Sequence, residues 1–420
     1  MLKPELLAPA GDMEKLRVAI AYGADAVYIG GQDFSLRARA GNFSAKELPA
    51  AVEYAHRAGK KLYVAVNVFA RNSDIERLPA YLKLLAEAAP DALIISDLGV
   101  FSLAREYAPG LPLHISTQAN TVNWQSAAAW GRLGAKRVIL GRELTLAEVA
   151  KISALPGPET EIFVHGAMCM AYSGRCFLSH YLSGRDANRG DCAQPCRWRY
   201  ALQEEKRPGE FFPVKEDARG GYILNSRDLC LIEALPDIIG SGVSAVKIEG
   251  RNKSAYYIAN VTRVYRAAID AAYDGQWYNT KMEAWRRELA KISHREYTTG
   301  FAFGPPGDKG QRYLTSDPIR GYDFAAMVTA LEPGILVLEQ RNHFASGDTL
   351  ELLLPDGGQL DILVTTMHNG AEKSINAAAH PGMRVYLPLT AEQQQTLALY
   401  SLPLVVRRMA RAARGGGDST

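Results

Sequence analysis

Short apolar runs recur up to residue 248, and each is followed by a stretch with helical periodicity. The runs are 6–9, 26–29, 62–68, 92–96, 113–116, 137–140, 161–164 and 245–248. Eight such runs alternating with helices predict a TIM-type (β/α)8 barrel, an α/β fold. The helical stretches 14–22 and 45–58 stop at Gly23 and Gly59, and Gly134 and Gly242 punctuate others in the same way. The rival, an open doubly wound sheet, lacks its G-x-G-x-x-G phosphate fingerprint. Residues 1–310 are assigned to the barrel, with a long insertion at 167–221 between the seventh and eighth strands. A helix over 225–239 then leads into the eighth strand, and another spans 256–273. Past a Gly/Pro-rich joint at 300–310 the texture changes. Short runs at 324–331, 335–339, 349–354, 360–366 and 383–387, split by Gly-containing turns, predict a small all-β barrel domain over 321–406. Four arginines and a glycine run make 407–420 a basic flexible tail.

In a barrel of this type the active face is built from strand C-termini and the loops after them. Those positions are polar here: Asn67, Gln118 with Asn120, Arg142 with Glu143, His165, and Glu249 with Arg251. Lys247, Glu249 and Arg251 alternate around the eighth strand, so at least two of them share a face at the mouth. His165 ends the seventh strand, four residues before a cysteine, and is a candidate general acid/base; Glu143 is a second catalytic candidate. His180 is a weaker one.

The insertion holds four of the five cysteines, Cys169, Cys176, Cys192 and Cys196, within 28 residues. Their spacing, C-x6-C-x15-C-x3-C, suits four thiolates around one centre, either tetrahedral zinc or an iron–sulfur cluster. Arg175, Arg189, Arg197 and Arg199 would offset the negative charge of such a centre. The fifth, Cys230, falls in an apolar stripe and reads as a core residue or an alternative ligand. The stretch 172–200 interleaves arginines with Tyr172, Phe177, Tyr181, Trp198 and Tyr200, a mixture suited to an extruded base beside phosphates.

Composition narrows the class. Of 420 residues, 47% are apolar and 22% charged, which excludes wholesale disorder, and the net charge of +3 is too small for a polycation. The first sixteen residues have no apolar core of a signal peptide, and no run of 18 apolar residues is present, so a cytoplasmic protein with no membrane span is expected. Neither G-x-S-x-G nor H-E-x-x-H occurs, which leaves a Cys–His pair with His165 or His180 as the route to proteolysis.

The block from Glu161 through Arg197, centred on Tyr-Ser-Gly-Arg-Cys176, closely resembles the signature of the collagenase-like peptidase family of unknown catalytic type. The opening Pro4 to Gly11, the run Gly23 to Tyr28 and the run Val246 to Arg251 resemble it too. Length and the β-rich C-terminal part look most like the branch of prephenate-dependent tRNA wobble-uridine hydroxylases. The resemblance implies a 4Fe-4S iron–sulfur cluster on Cys169, Cys176, Cys192 and Cys196, with no match for Cys230. It also implies prephenate as co-substrate, tRNA as partner, and oxygen-independent hydroxylation at uridine C5. Prephenate carries two carboxylates, and Arg142 is a candidate to grip one bidentately. Gln118, Asn120, Lys247, Glu249 and Arg251 complete the substrate-binding candidates. Hydroxylation of another RNA base or of a quinone precursor, a non-catalytic scaffold, and a peptidase are the alternatives.

Overall fold

The computed structural model describes residues 2–36, 41–169, 171–198, 226–306, 318–370 and 373–410, and between 202 and 221 the backbone of four two-residue strands. Eight parallel strands close into a barrel: β1 (Glu5–Pro9), β2 (Ala26–Gly30), β3 (Lys61–Val66), β4 (Ala92–Ile95), β5 (Leu113–Ile115), β6 (Arg137–Ile139), β7 (Glu159–Ala167) and, after β8 (Asp228–Cys230), β9 (Ala245–Ile248). Each pairs with its neighbour, and β7 pairs with β9 to complete the ring. All eight predicted runs are strands, and their buried alternate faces pack against the helices and the barrel axis.

Helix starts follow local chemistry. Asp12 caps α1 (Met13–Ala21), Asn123 caps the helix Trp124–Leu133, and Thr145 with Glu148 forms a capping box on Leu146–Ser153. The helix Glu47–Arg57 starts without a side-chain cap, and the longest connection follows β7.

The expected helix over 225–239 is instead β8, a 3-10 turn and the short helix Leu235–Gly240. The reason lies in β7, which at nine residues outruns its ring neighbours β6, of three residues, and β9, of four. Its protruding end carries backbone groups that need partners. β8 supplies them antiparallel, with Cys230 opposite His165 and Asp228 opposite Ala167. Asp228 is itself pinned by Arg295, whose backbone N–H and guanidinium donate to the buried carboxylate at 2.5–3.0 Å.

The C-terminal part is an open antiparallel half-barrel. Its main strands are β11 (Tyr322–Glu332), β12 (Ile335–Gln340), β13 (Thr349–Leu353), β14 (Gln359–Leu363), β15 (Arg384–Pro388) and β16 (Leu404–Met409), in the order β14-β13-β16-β11-β12-β15; the two-residue strand Tyr297–Thr298 (β10) belongs to the barrel sheet. The expected tail thus starts too early. Arg407 and Arg408 lie in β16 and are buried, while Arg411 and Arg414 fall outside the described residues. Two carboxylates near the barrel explain the burial: Arg407 bonds Glu288, Glu351 and Gln359. The predicted 256–273 helix is Ala255–Tyr273, buried on almost every side because barrel and half-barrel both pack on it. Tyr22 joins the parts too, donating to Leu353 O and accepting the Val405 N–H.

Burial would raise the Glu288 pKa, but Arg407, Arg263 and Lys291 outweigh it and hold the carboxyl down at about 2. Lowering from an ordinary 4.5 stabilises the folded chain above pH 4.5, and the gain is lost as pH falls towards 2. At 1.36 kcal/mol per unit the contribution is at most about 3 kcal/mol. Urea unfolding between pH 6 and pH 2.5 should therefore show a shallower loss of stability in Glu288→Gln than in the wild type. Equal slopes would contradict this role.

Candidate active site

A cavity of about 60 Å³ opens at the C-terminal mouth of the barrel. Its floor is the top of a column of buried charges along the barrel axis. Arg137 bonds Glu5 at 2.7 Å, Glu159 at 2.8 Å and Glu161 at 3.2 Å, and Glu161 takes the Lys247 ammonium at 3.0 Å. Lys247 also stands 4.3 Å above the Tyr28 ring. Burial lowers its pKa and the Glu161 carboxylate opposes that shift. Arg251 is buried beside it and donates to Ser35 Oγ at 2.8 Å. Gly30 is required there, because a Cβ would lie 1.8 Å from the Arg251 Nη1. Arg142 lies over the Phe163 ring at 4.1 Å and donates through Nη1 to Ala167 O at 3.0 Å, while its buried Nε has no partner. Gln118 accepts from Asn67 Nδ2 at 3.1 Å, and Asn67 Oδ1 accepts the Leu36 N–H. Gln118, Arg142, Lys247, Glu249 and Arg251 thus line one cavity, and Cys169 lines it with them.

Of the four clustered cysteines only Cys169 lines it, and the candidates His165, Glu143 and Asn120 do not. His165 should follow Glu161 and Phe163 inward by alternation. A bulge between β7 and β9, where Lys247 pairs with Phe163 and Ile248 with His165, inserts one extra residue and turns its ring away. The ring packs among Tyr257, Tyr265 and Tyr297, and burial drives its pKa down to about 3, so it is neutral at physiological pH. Glu143 is a positioning residue: its carboxylate accepts the Ser173 N–H at 2.5 Å and the Ser173 hydroxyl at 2.6 Å. Ser173 needs such restraint, since it holds a left-handed φ of 45° between Cys169 and Cys176. Asn120 donates to Tyr172 O at 3.1 Å and steadies the same turn. Sequence reasoning missed Glu161 and Tyr28, which read as ordinary members of apolar strands; a carboxylate inside such a run was the available signal.

None of the five cysteines is in a disulfide. Burial raises the Cys196 pKa, and the charges of Cys169, Cys192 and Cys176 add to it against Arg197, so the other three thiols stand within electrostatic reach of Cys196. Backbone N–H groups of Leu178 and Gln194 point at Cys176 Sγ and Cys192 Sγ, each at 3.3 Å, as donors do around sulfur-ligated metal centres. Among the described residues no three His, Cys, Asp or Glu side chains close to bonding distance of one ion. The neighbouring arginines serve the loop's own scaffold: Arg189 bonds Asp74, Arg185 bonds Asp191, Arg197 bonds Gln194, and Arg175 donates to Gln118 O. Arg199 and Tyr200 lie outside the described residues. Cys230 faces a different cavity, with Leu231 and Tyr297, and burial raises its thiol to about 11.

The model of Peptidase family U32 matches residues 11–312, and that of the Peptidase family U32 C-terminal domain matches 320–399. The tRNA hydroxylation protein P of Escherichia coli is 39% identical over 95% of this chain and 96% of its own. The tRNA hydroxylation protein P1 of Bacillus subtilis is 39% identical over 90% of each. A 23S rRNA 5-hydroxycytidine synthase of Escherichia coli is 36% identical over 73% of this chain and 46% of its own.

Two outcomes follow from the geometry. Glu143→Ala removes two hydrogen bonds to a carboxylate, each worth about 1.5–3 kcal/mol, so the Ser173 amide should exchange with solvent at least about tenfold faster while the barrel strands are unchanged. An unaltered Ser173 amide would show that the turn is held otherwise. In a histidine NMR titration His165 should show no transition between pH 5 and 8; a midpoint in that range would restore it as an acid/base candidate.

Proposed function

This chain belongs to peptidase family U32, and on that premise we propose that it is an RNA-modifying enzyme, a hydroxylase of tRNA. The finer reading is replacement of hydrogen by hydroxyl at C5 of the wobble uridine, with prephenate as co-substrate, a four-cysteine iron–sulfur cluster, and a cytoplasmic setting. The observation that carries it is the cavity where Cys169 meets Lys247, Arg142 and Arg251. A sulfur-only donor set with N–H groups aimed at two of its thiols fits a cluster, which when bound supplies redox chemistry. The two tRNA hydroxylation proteins align across barrel and half-barrel alike, which favours tRNA over the ribosomal substrate of the third relative.

The residues divide the work. Lys247 and Arg251 are held by Glu161 and Ser35, so their positive charge is fixed before a ligand arrives and costs little to reorient. Arg142, with one hydrogen bond and an unpartnered Nε, has the most donor capacity left for a ligand. A carboxylate entering the cavity would lie against Arg142, whose guanidinium can grip it bidentately. The Asn67–Gln118 amide pair offers donor and acceptor atoms to a base edge. Proteolysis by a Cys–His pair lacks its base: among the described residues no histidine lines the cavity.

Nucleoside mass analysis of tRNA from cells with and without the gene tests the reading. Loss of 5-hydroxyuridine and its derivatives on deletion, restored by the wild type but not by Cys192→Ser, is expected; unchanged tRNA would refute it. Anaerobically purified protein should be brown, with iron and acid-labile sulfide, whereas stoichiometric zinc without sulfide would overturn the cluster. Arg142→Ala and Arg251→Ala should each weaken prephenate binding roughly 10- to 150-fold with the visible absorption intact. Wild-type affinity in both would place the acid elsewhere.

A further inference from the structure

The cysteine loop carries aromatic side chains that its own scaffold does not use. The helix Leu178–Ser183 starts two residues after Cys176, whose thiol accepts the Leu178 N–H. One side of it is anchored: Ser179 is buried, its hydroxyl accepts the Ala193 N–H at 2.9 Å, and the helix packs on the turn Pro195–Arg197 that holds Cys196. The other side presents Phe177 and Tyr181, four residues apart and 80% and 82% exposed. Trp198, just past the Cys196 turn, is exposed as well. Large rings left this open together, on the loop that carries the cysteines, mark a binding surface.

The charge around them selects the partner. Residues 171–198 hold four arginines against two aspartates, +2 in 28 residues; each arginine is already hydrogen-bonded within the scaffold, so this charge acts on a partner through its field and not by direct contact. A partner with flat apolar faces and negative charge fits, and unpaired nucleotides have both. Side chains four apart on a helix stand about 5–6 Å from each other at Cβ, so two rings can take successive unpaired bases.

We propose that Phe177 and Tyr181 are the stacking platform for unpaired bases that flank the target nucleotide, and so hold the RNA loop over the mouth that Cys169 lines. This rests on the RNA reading above and adds the surface and the single-stranded character of what it binds. A base drawn out of its stack needs its neighbours held, and stacking does this without reading sequence.

Fluorescence anisotropy with a labelled anticodon-stem-loop hairpin and a labelled fully paired RNA duplex tests this on the full-length protein. Phe177→Ala and Tyr181→Ala should each weaken hairpin binding roughly 5- to 150-fold, with more in the double variant. Phe177→Tyr and Tyr181→Phe should bind as the wild type does, and duplex binding should be unchanged in all. Both side chains are exposed, so the unfolding curves should superimpose. Wild-type hairpin affinity in the double alanine variant, or equal loss on hairpin and duplex, would overturn the platform and leave the RNA reading standing. Failure of the wild type to bind the hairpin would overturn both. Binding of anionic lipid vesicles that is lost in the double variant, with hairpin affinity retained, would assign the face to a membrane instead.

Discussion

The Glu161–Lys247 ion pair inside the barrel is the constraint on which the mouth depends. A charge withdrawn from water in a barrel core is tolerable only when paired and hydrogen-bonded. Here Glu161, fully buried, is bonded by Lys247 above and Arg137 below, and Arg137 reaches on to Glu5, which also accepts from Tyr63. The usual apolar layers of such a barrel give way to a polar column along its axis. His114 stands in this column with its Nδ1 unpartnered, and burial first, then the charges of Arg137 and Lys247, keep it neutral. The column presents one ammonium, Lys247, to the cavity and holds it there without help from a ligand.

Over that fixed charge the cysteine loop is tied down by polar contacts to several βα loops. Glu143 after β6 holds Ser173, the backbone of Gln118 after β5 holds Arg175, and Asp74 after β3 holds Arg189. Each tie uses a side chain from the loop or from the rim, so the arginines among the cysteines are mostly structural. The half-barrel contributes from behind: Arg407, through Glu288, and Tyr22 lock it to the barrel without lining the cavity.

Much of this was legible in the sequence. Apolar runs bounded by glycine-capped helices gave away the barrel strands because a parallel strand is buried on both faces. Lys247, Glu249 and Arg251 could be placed at the mouth by alternation along one strand. His165 could not, because alternation assumes an unbroken register and the β7–β9 bulge breaks it. Nor could the burial of Arg407, which reads as the first residue of a basic tail until Glu288, 119 positions earlier, is brought against it. Asp228–Cys230 looked helical because its strand pairing is long-range: the partner is the overhanging end of β7, some sixty residues upstream. Local pattern reports local structure, and these departures all come from contacts distant in sequence.

Cys169 and the fixed cations Lys247 and Arg251 face one cavity. Visible circular dichroism of the anaerobically reconstituted protein, recorded while prephenate is titrated in, tests it most directly. A dianion bound beside Lys247 and Cys169 must change the field at the sulfur-ligated centre, so the spectrum should shift in step with binding and saturate with it. Binding that saturates while the spectrum stays constant would show that the acid and the thiols occupy separate sites.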